Sequence, residues 1–217
     1  VIDMENKVAK DISDFRSHLL DLANRVQKHL EKAFKSFTNS DVAMSKEVRR
    51  EDSIINDMEL DIESECLRIL ALDHPVASEL RFVLAVMRIN NHLERIADLA
   101  AGVAKRGAKV NQAKELFNIP EAVPRMMDAT TKMVHQAIQS LALDDTGIAQ
   151  EVRDADDYVD DLRKEVLDWA QENASSLTAT SISFITIATK IERVADLATN
   201  IAEDVIFAVD GSIVRHT

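Results

Sequence analysis

At 217 residues the chain is long enough for one sizeable domain or two small ones, and its four Gly and three Pro disfavour a sandwich or barrel, which turns about every 8–12 residues. Apolar residues make up 46% of the chain but aromatic ones only 4%, so the expected core is aliphatic. With 26 basic against 38 acidic residues the formal charge is −12, which argues against sequence-independent nucleic-acid binding built on Lys and Arg.

Hydrophobic periodicity is helical almost throughout. A first helix is read from Val8, Ile12, Phe15, Leu19, Leu22, Val26, Leu30, Ala33 and Phe37. It stops near Asn39–Ser40–Asp41, which offers caps for the next helix. The second helix runs to about Leu72 on Val48, Ile55, Met58, Ile62, Cys66 and Ile69, and Asp73–His74–Pro75 breaks it. The third carries Phe82, Val86, Ile89, Leu93, Ile96, Ala97, Ala100 and Ala104, with an expected end near Gly107. Residues 108–118 read as a linker, and Pro120 and Pro124 mark the start of a fourth helix from about Glu121 to Leu143. Asp144–Asp145–Thr146–Gly147 turns the chain into a fifth helix ending near Asn173. The sixth holds Phe184, Ile187, Ile191, Val194, Ala195, Ala198, Ala202, Val205 and Val209. The single cysteine, Cys66, fits a reducing compartment. No apolar run approaches the roughly 20 residues of a membrane span. Asp3 and Glu5 speak against a signal peptide. The expectation is a soluble, cytoplasmic, all-α protein.

The two halves resemble each other. Leu93-Glu94-Arg95-Ile96-Ala97-Asp98-Leu99-Ala100 recurs as Ile191-Glu192-Arg193-Val194-Ala195-Asp196-Leu197-Ala198, 98 residues further on. Val48, Asp52, Ile55 and Asn56 correspond to Val152, Asp156, Val159 and Asp160 at an offset of 104. This predicts two tandem three-helix bundles, over 1–110 and 117–217, made by duplication into six long antiparallel helices.

The repeated segment carries the chemistry. At about 100° per residue from Leu93, Glu94 and Asp98 fall at roughly 100° and 140°, outside the apolar stripe. Like charges at i and i+4 destabilise a helix by a few tenths of a kcal/mol, and a cation between them reverses the sign. Asp52 and Asn56 can point to the same place from the second helix, as Asp156 and Asp160 can from the fifth. With Glu192, Asp196 and Asn200, each unit offers four or five oxygen donors on neighbouring helices. Such a set suits hard or intermediate cations rather than a closed structural zinc site. A single Glu-x-x-x-Asp is most often a solvated acidic face, but two copies in one register count for more.

Other signals are weaker. Arg95 and Arg193 are expected to pair with adjacent helices, His29 to be a partly buried, satisfied histidine rather than a ligand, and Arg81 to form an ion pair rather than to meet an anion. His18, His92 and His135 are scattered, His74 beside Pro75 reads as turn chemistry, and His216 stands at the carboxyl end. Met87, Met126, Met127 and Met133 fit helix packing. The absence of Glu-x-x-His argues against a di-iron oxidase core. No nucleotide loop, dinucleotide fingerprint or nucleophile elbow occurs.

These residues resemble the PhoU family along nearly the whole chain. The likeness lies in the first-helix pattern, Val48–Asn56, Pro75-x-x-x-x-Leu80-Arg81, the doubled Glu-Arg-aliphatic-small-Asp, Asn200-Ile201 and Arg215-His216. The resemblance implies two three-helix bundles side by side, often dimeric, with multinuclear iron or zinc clusters in some members. It implies a cytoplasmic negative regulator working near the membrane, which links an ATP-driven phosphate transporter to a sensor histidine kinase. Carried over by position, the metal motif falls on Asp52, Asn56, Glu94 and Asp98, then on Asp156, Asp160, Glu192, Asp196 and Asn200. Departures are Gly102 where the second copy has Asn200, Ala97 and Ala195 in place of a usual glycine, Ala23–Asn24 for Gly-Gly, and Gln27 for a frequent glutamate. A rival reading is a metal-binding accessory protein of another transporter, or a metal-storage or metal-dependent bundle. Neither reading makes the chain an enzyme of recognisable type.

Overall fold

The computed structural model describes residues 2–73, 75–112, 119–173 and 179–214, with side chains described from residue 11. His74, Arg215, His216 and the side chain of Val8 lie outside the described residues, as do 113–118 of the expected linker. The helices are α1 (Ile2–Thr38), α2 (Val42–Leu72), α3 (Ser78–Gln112), α4 (Ala122–Leu143), α5 (Thr146–Asp154), α6 (Asp156–Glu172) and α7 (Ala179–Asp210). No strand occurs among the described residues.

The first three helices form one pack and α4 to α7 a second. The two meet mainly along α3 and α7. Apolar positions at helical spacing supply the core: Phe15, Leu19, Leu22 and Leu30 of α1, Ile55 and Ile69 of α2, and Ile89, Leu93 and Ile96 of α3 are all fully buried. Met126, Phe184, Ile187 and Ile191 continue the same cluster in the second pack. Burying each such side chain contributes about 1.5–3 kcal/mol before entropic costs. Phe184 meets Phe37 and Trp169 edge-on, with ring centroids 6.4 Å and 5.8 Å away, and so joins α7 to both packs.

The duplication is plainest at the first turn of each pack. Ser36 bonds the Ala33 carbonyl at 2.7 Å, and Ser140 bonds the Ala137 carbonyl at 2.8 Å. The backbone N–H of Asp41 donates to the Ser36 carbonyl, and that of Asp145 to the Ser140 carbonyl. Between them Ser40 and Asp144 are both left-handed, with φ of 55° and 51°. Asp41 then caps α2 by accepting from the Met44 N–H at 2.9 Å, while Asp145 caps α5 by accepting from Gly147 and Ile148. Every pair is separated by 104 residues, the offset read from the second and fifth helices.

Two expected boundaries are corrected. The third helix passes Gly107 and continues to Gln112. Gly107 marks a close approach instead: a Cβ there would lie 2.6 Å from the Phe37 ring, so glycine lets α3 pass the end of α1. The fifth helix is divided at Ala155, whose N–H bonds the Val152 carbonyl in a tightened turn, and Asp156 begins α6 immediately after it.

Candidate acidic faces and the groove between them

In the first pack Asp52 projects from α2 toward α3, where Glu94 and Asp98 stand one turn apart. Its Oδ1 is buried without a hydrogen-bond partner. Burial raises the Asp52 carboxyl above the ordinary range, and the charge of Asp98 adds to the rise. Glu94 is raised by burial, then by Asp98, Glu59 and Asp52, against a weaker opposing effect of Arg95. Three of the expected residues therefore sense one another across two helices, whereas Asn56 lies exposed on α2. Glu59 belongs to the same face, although sequence reasoning missed it. Asn90 holds it through Nδ2, which donates to the Glu59 carbonyl at 3.0 Å and to Oε1 at 3.2 Å. The signal was available: Glu59 lies seven residues after Asp52, two helical turns along one stripe.

Beneath this face sits His29. Its side chain is 1% exposed, with Nε2 3.9 Å from Asp52 Oδ1 and Nδ1 4.0 Å from Glu51 Oε2. Among the described residues neither ring nitrogen makes a well-formed hydrogen bond, and as a hydrogen-bonding group only the Ala97 backbone draws on the ring, so the expectation of a satisfied histidine holds only in part. Burial lowers its pKa, against weaker opposing effects from Glu51 and the nearby Ala97 carbonyl. Glu51 is engaged elsewhere, since Lys32 bridges it at 2.7 Å to Glu47 at 3.0 Å.

The second pack uses the same frame differently. Asp156, the counterpart of Asp52, is buried and accepts a hydrogen bond from Thr199 Oγ1 of α7 at 3.2 Å. Glu192 lies 4.0 Å from Arg163 Nε. Burial raises its carboxyl first; Arg163 and Arg193 pull it back, while Asp160 and Asp156 push it up. Arg163 was also missed, although it follows Asp160 by three residues and so shares its side of α6.

Asp98, Asp196 and Asn200 stand at the edge of these faces and also line a groove of about 480 Å³ between α3 and α7, together with Arg95, Lys190 and Arg193. The expectation that Arg95 and Arg193 pair with neighbouring helices is not met: among the described residues neither forms a hydrogen bond or an ion pair. Among the described residues Arg81 likewise makes no ion pair; its Nε is buried without a partner there and packs beside Gly211. Gly102, at the position of Asn200, accommodates Lys190, whose Nζ would lie 2.8 Å from a Cβ there. Next along the seam Asp204 accepts from Arg88 at 3.1 Å and faces His92 at 3.4 Å.

The donor chemistry of the first face, carboxylates crowded without a cation, fits a hard or intermediate metal ion. The second face fits less well, because Thr199 and Arg163 already engage its acids. Among the described residues no three His, Cys, Asp or Glu side chains are gathered closely enough to hold an ion as they stand. No helix of the described residues is long and apolar enough to cross a membrane.

A sequence profile of the PhoU domain matches residues 19–107 and 123–205, one copy in each pack. The chain is 33% identical over 210 residues to a phosphate-specific transport system accessory protein PhoU homolog of Pseudomonas aeruginosa, covering 95% of this chain and 86% of that one. A homolog of the same description from Aquifex aeolicus is 31% identical, covering 97% of this chain and 96% of its own. The fold matches the crystal structure of PhoU from Pseudomonas aeruginosa with a TM-score of 0.88 at 32% identity, over 94% of this chain and 99% of that one. The phosphate transport system regulatory protein PhoU from Streptococcus pneumoniae gives 0.83 at 26% identity, over 96% of this chain and all of the other (100%).

Proposed function

The chain belongs to the PhoU family, and on that footing we propose that it is a regulatory accessory protein of phosphate transport that represses phosphate-starvation signalling by contact. The observation that carries this reading is the match of the PhoU domain to both packs, over residues 19–107 and 123–205, with both acidic frames in place. Its partners on this reading are subunits of the phosphate ABC transporter and a sensor histidine kinase in the cytoplasm. Thermodynamics asks only that it bind one conformation of the transporter better than another and that this preference bias the kinase. Deleting its gene should turn on phosphate-starvation genes in high phosphate, and the tagged protein should co-purify with transporter and kinase. Full repression in the deletion strain would overturn the reading.

A second role, ion binding, is favoured by the crowding at the first face. Asp52, Glu94 and Asp98 would hold an iron or zinc ion there, with Asn56 and Glu59 at the margin. The ion would supply the positive charge that these carboxylates lack. Asp156, Asp160, Glu192, Asp196 and Asn200 are the corresponding ligands in the second pack. Elemental analysis should show metal that Glu94→Ala and Asp98→Ala remove, with a smaller loss for Glu192→Ala. Metal content indifferent to all three would leave the acids as solvated faces.

A further inference from the structure

We propose that the groove between α3 and α7 binds a phosphate-bearing small molecule, with Arg95, Arg193 and Lys190 as its ligands. The chain has 12 more acidic than basic residues, so a basic side chain has no shortage of counterions. Yet these three line one groove, and among the described residues none forms an ion pair or hydrogen bond. Arg95 and Arg193 are equivalent positions of the two repeats, so two guanidinium forks flank the groove, one from each pack. Guanidinium matches phosphate through paired N–H donors. Lys190 is half-buried and lies against the α3 backbone at Gly102, the one position of the repeated face where a side chain has been given up.

The groove's volume of about 480 Å³ falls in the ~300–1,000 Å³ range of small-molecule sites, and Leu99 and Leu197 give it two apolar walls. That combination suits a phosphate with an organic body. Asp98 and Asp196 also line it and oppose an anion, so three cations act against two carboxylates. The groove shares Asp98, Asp196 and Asn200 with the proposed metal faces but takes its ligands from the three basic side chains, and it does not rest on the regulatory reading. The shared chemistry, a phosphate ester or anhydride, has two sources: a soluble nucleotide or a lipid headgroup.

Calorimetric titration of the whole protein in EDTA, using ATP, pyrophosphate and inorganic phosphate, tests the soluble source. Sedimentation with phosphatidylglycerol vesicles, against phosphatidylcholine ones, tests the lipid source. One arm should show binding that Arg95→Gln with Arg193→Gln weakens by at least about tenfold. The Arg→Lys pair, which keeps the charge but not the paired donors, should fall between the native protein and the double Gln variant, and Asp98→Asn should strengthen binding. Failure of every probe to bind, or binding unchanged in the double Gln variant with its helical content intact, would overturn the proposal.

Discussion

In the first pack Asp52, Glu94 and Asp98 crowd one another with a buried, poorly partnered histidine underneath; in the second, Asp156 is tied to Thr199 and Glu192 faces Arg163. One frame of residues thus yields an acidic face that is uncompensated in one half and largely compensated in the other. The difference arises in neighbours the duplication did not keep. Where α2 continues unbroken through Glu51 and Asp52, the equivalent Ala155 interrupts the helix, and the residue after it is buried against α7. Register survives duplication because helix geometry enforces it. The electrostatics of a face depends on what stands across from it, which is free to drift.

Exchanging residues between equivalent positions breaks or sharpens this contrast. The largest effect is expected at Cys66, which stands where the second pack has Ala170. Burial pushes its thiol up to about 12, so alkylation at pH 8 should run about a thousandfold slower in the native protein than in urea. Rapid native labelling would show that α2 opens. Next comes Gly107, the counterpart of Val205: Gly107→Val should cost about 2 kcal/mol in urea unfolding, because the Phe37 ring occupies the space. Adding Phe37→Leu should recover part of that loss.

Smaller still are the charge changes. In metal-free protein Glu94→Gln should stabilise by about 0.5 kcal/mol, because it removes a carboxylate held among like charges. Glu192→Gln should be neutral or destabilising by a similar amount, because Arg163 loses its counterion. The same sign for both would erase the distinction between the faces. The smallest effect concerns His18, replaced by Ala122 in the second pack. Its hydrogen bond to Glu65 raises the His18 pKa, against some burial. The pair therefore stabilises fully below about pH 6.5, and that contribution fades as pH rises through the raised pKa. His18→Gln should cost a few tenths of a kcal/mol at pH 5.5 and nothing at pH 9.

Helix spacing, the caps offered at Asn39–Ser40–Asp41 and the turn at Asp144–Gly147 were legible in the sequence, because each depends on residues within a turn or two of one another. The placement of Glu94 and Asp98 off the apolar stripe followed from the same angles. What lay across a helix interface was not legible. Gly107 read as a stop because glycine commonly ends helices, and only the position of Phe37 shows that it makes room. Arg95 and Arg193 were expected to pair with neighbouring helices, but at the seam they form no hydrogen bond or ion pair among the described residues. The break at Ala155 has no Pro or Gly to announce it; the alanine there favours a helix.

The matched turns at the head of each pack carry a practical consequence. Ser40 and Asp144 hold the same left-handed backbone, which costs a residue with a Cβ roughly 1 kcal/mol that glycine escapes. They are not equally replaceable. Both are exposed, but Asp144 reaches Arg16 at 2.8 Å and so links the second pack to the first, whereas the Ser40 side chain makes no such bond among the described residues. A heat-hardened form of this protein should start from Ser40→Gly, which does not line the groove, and leave its twin alone.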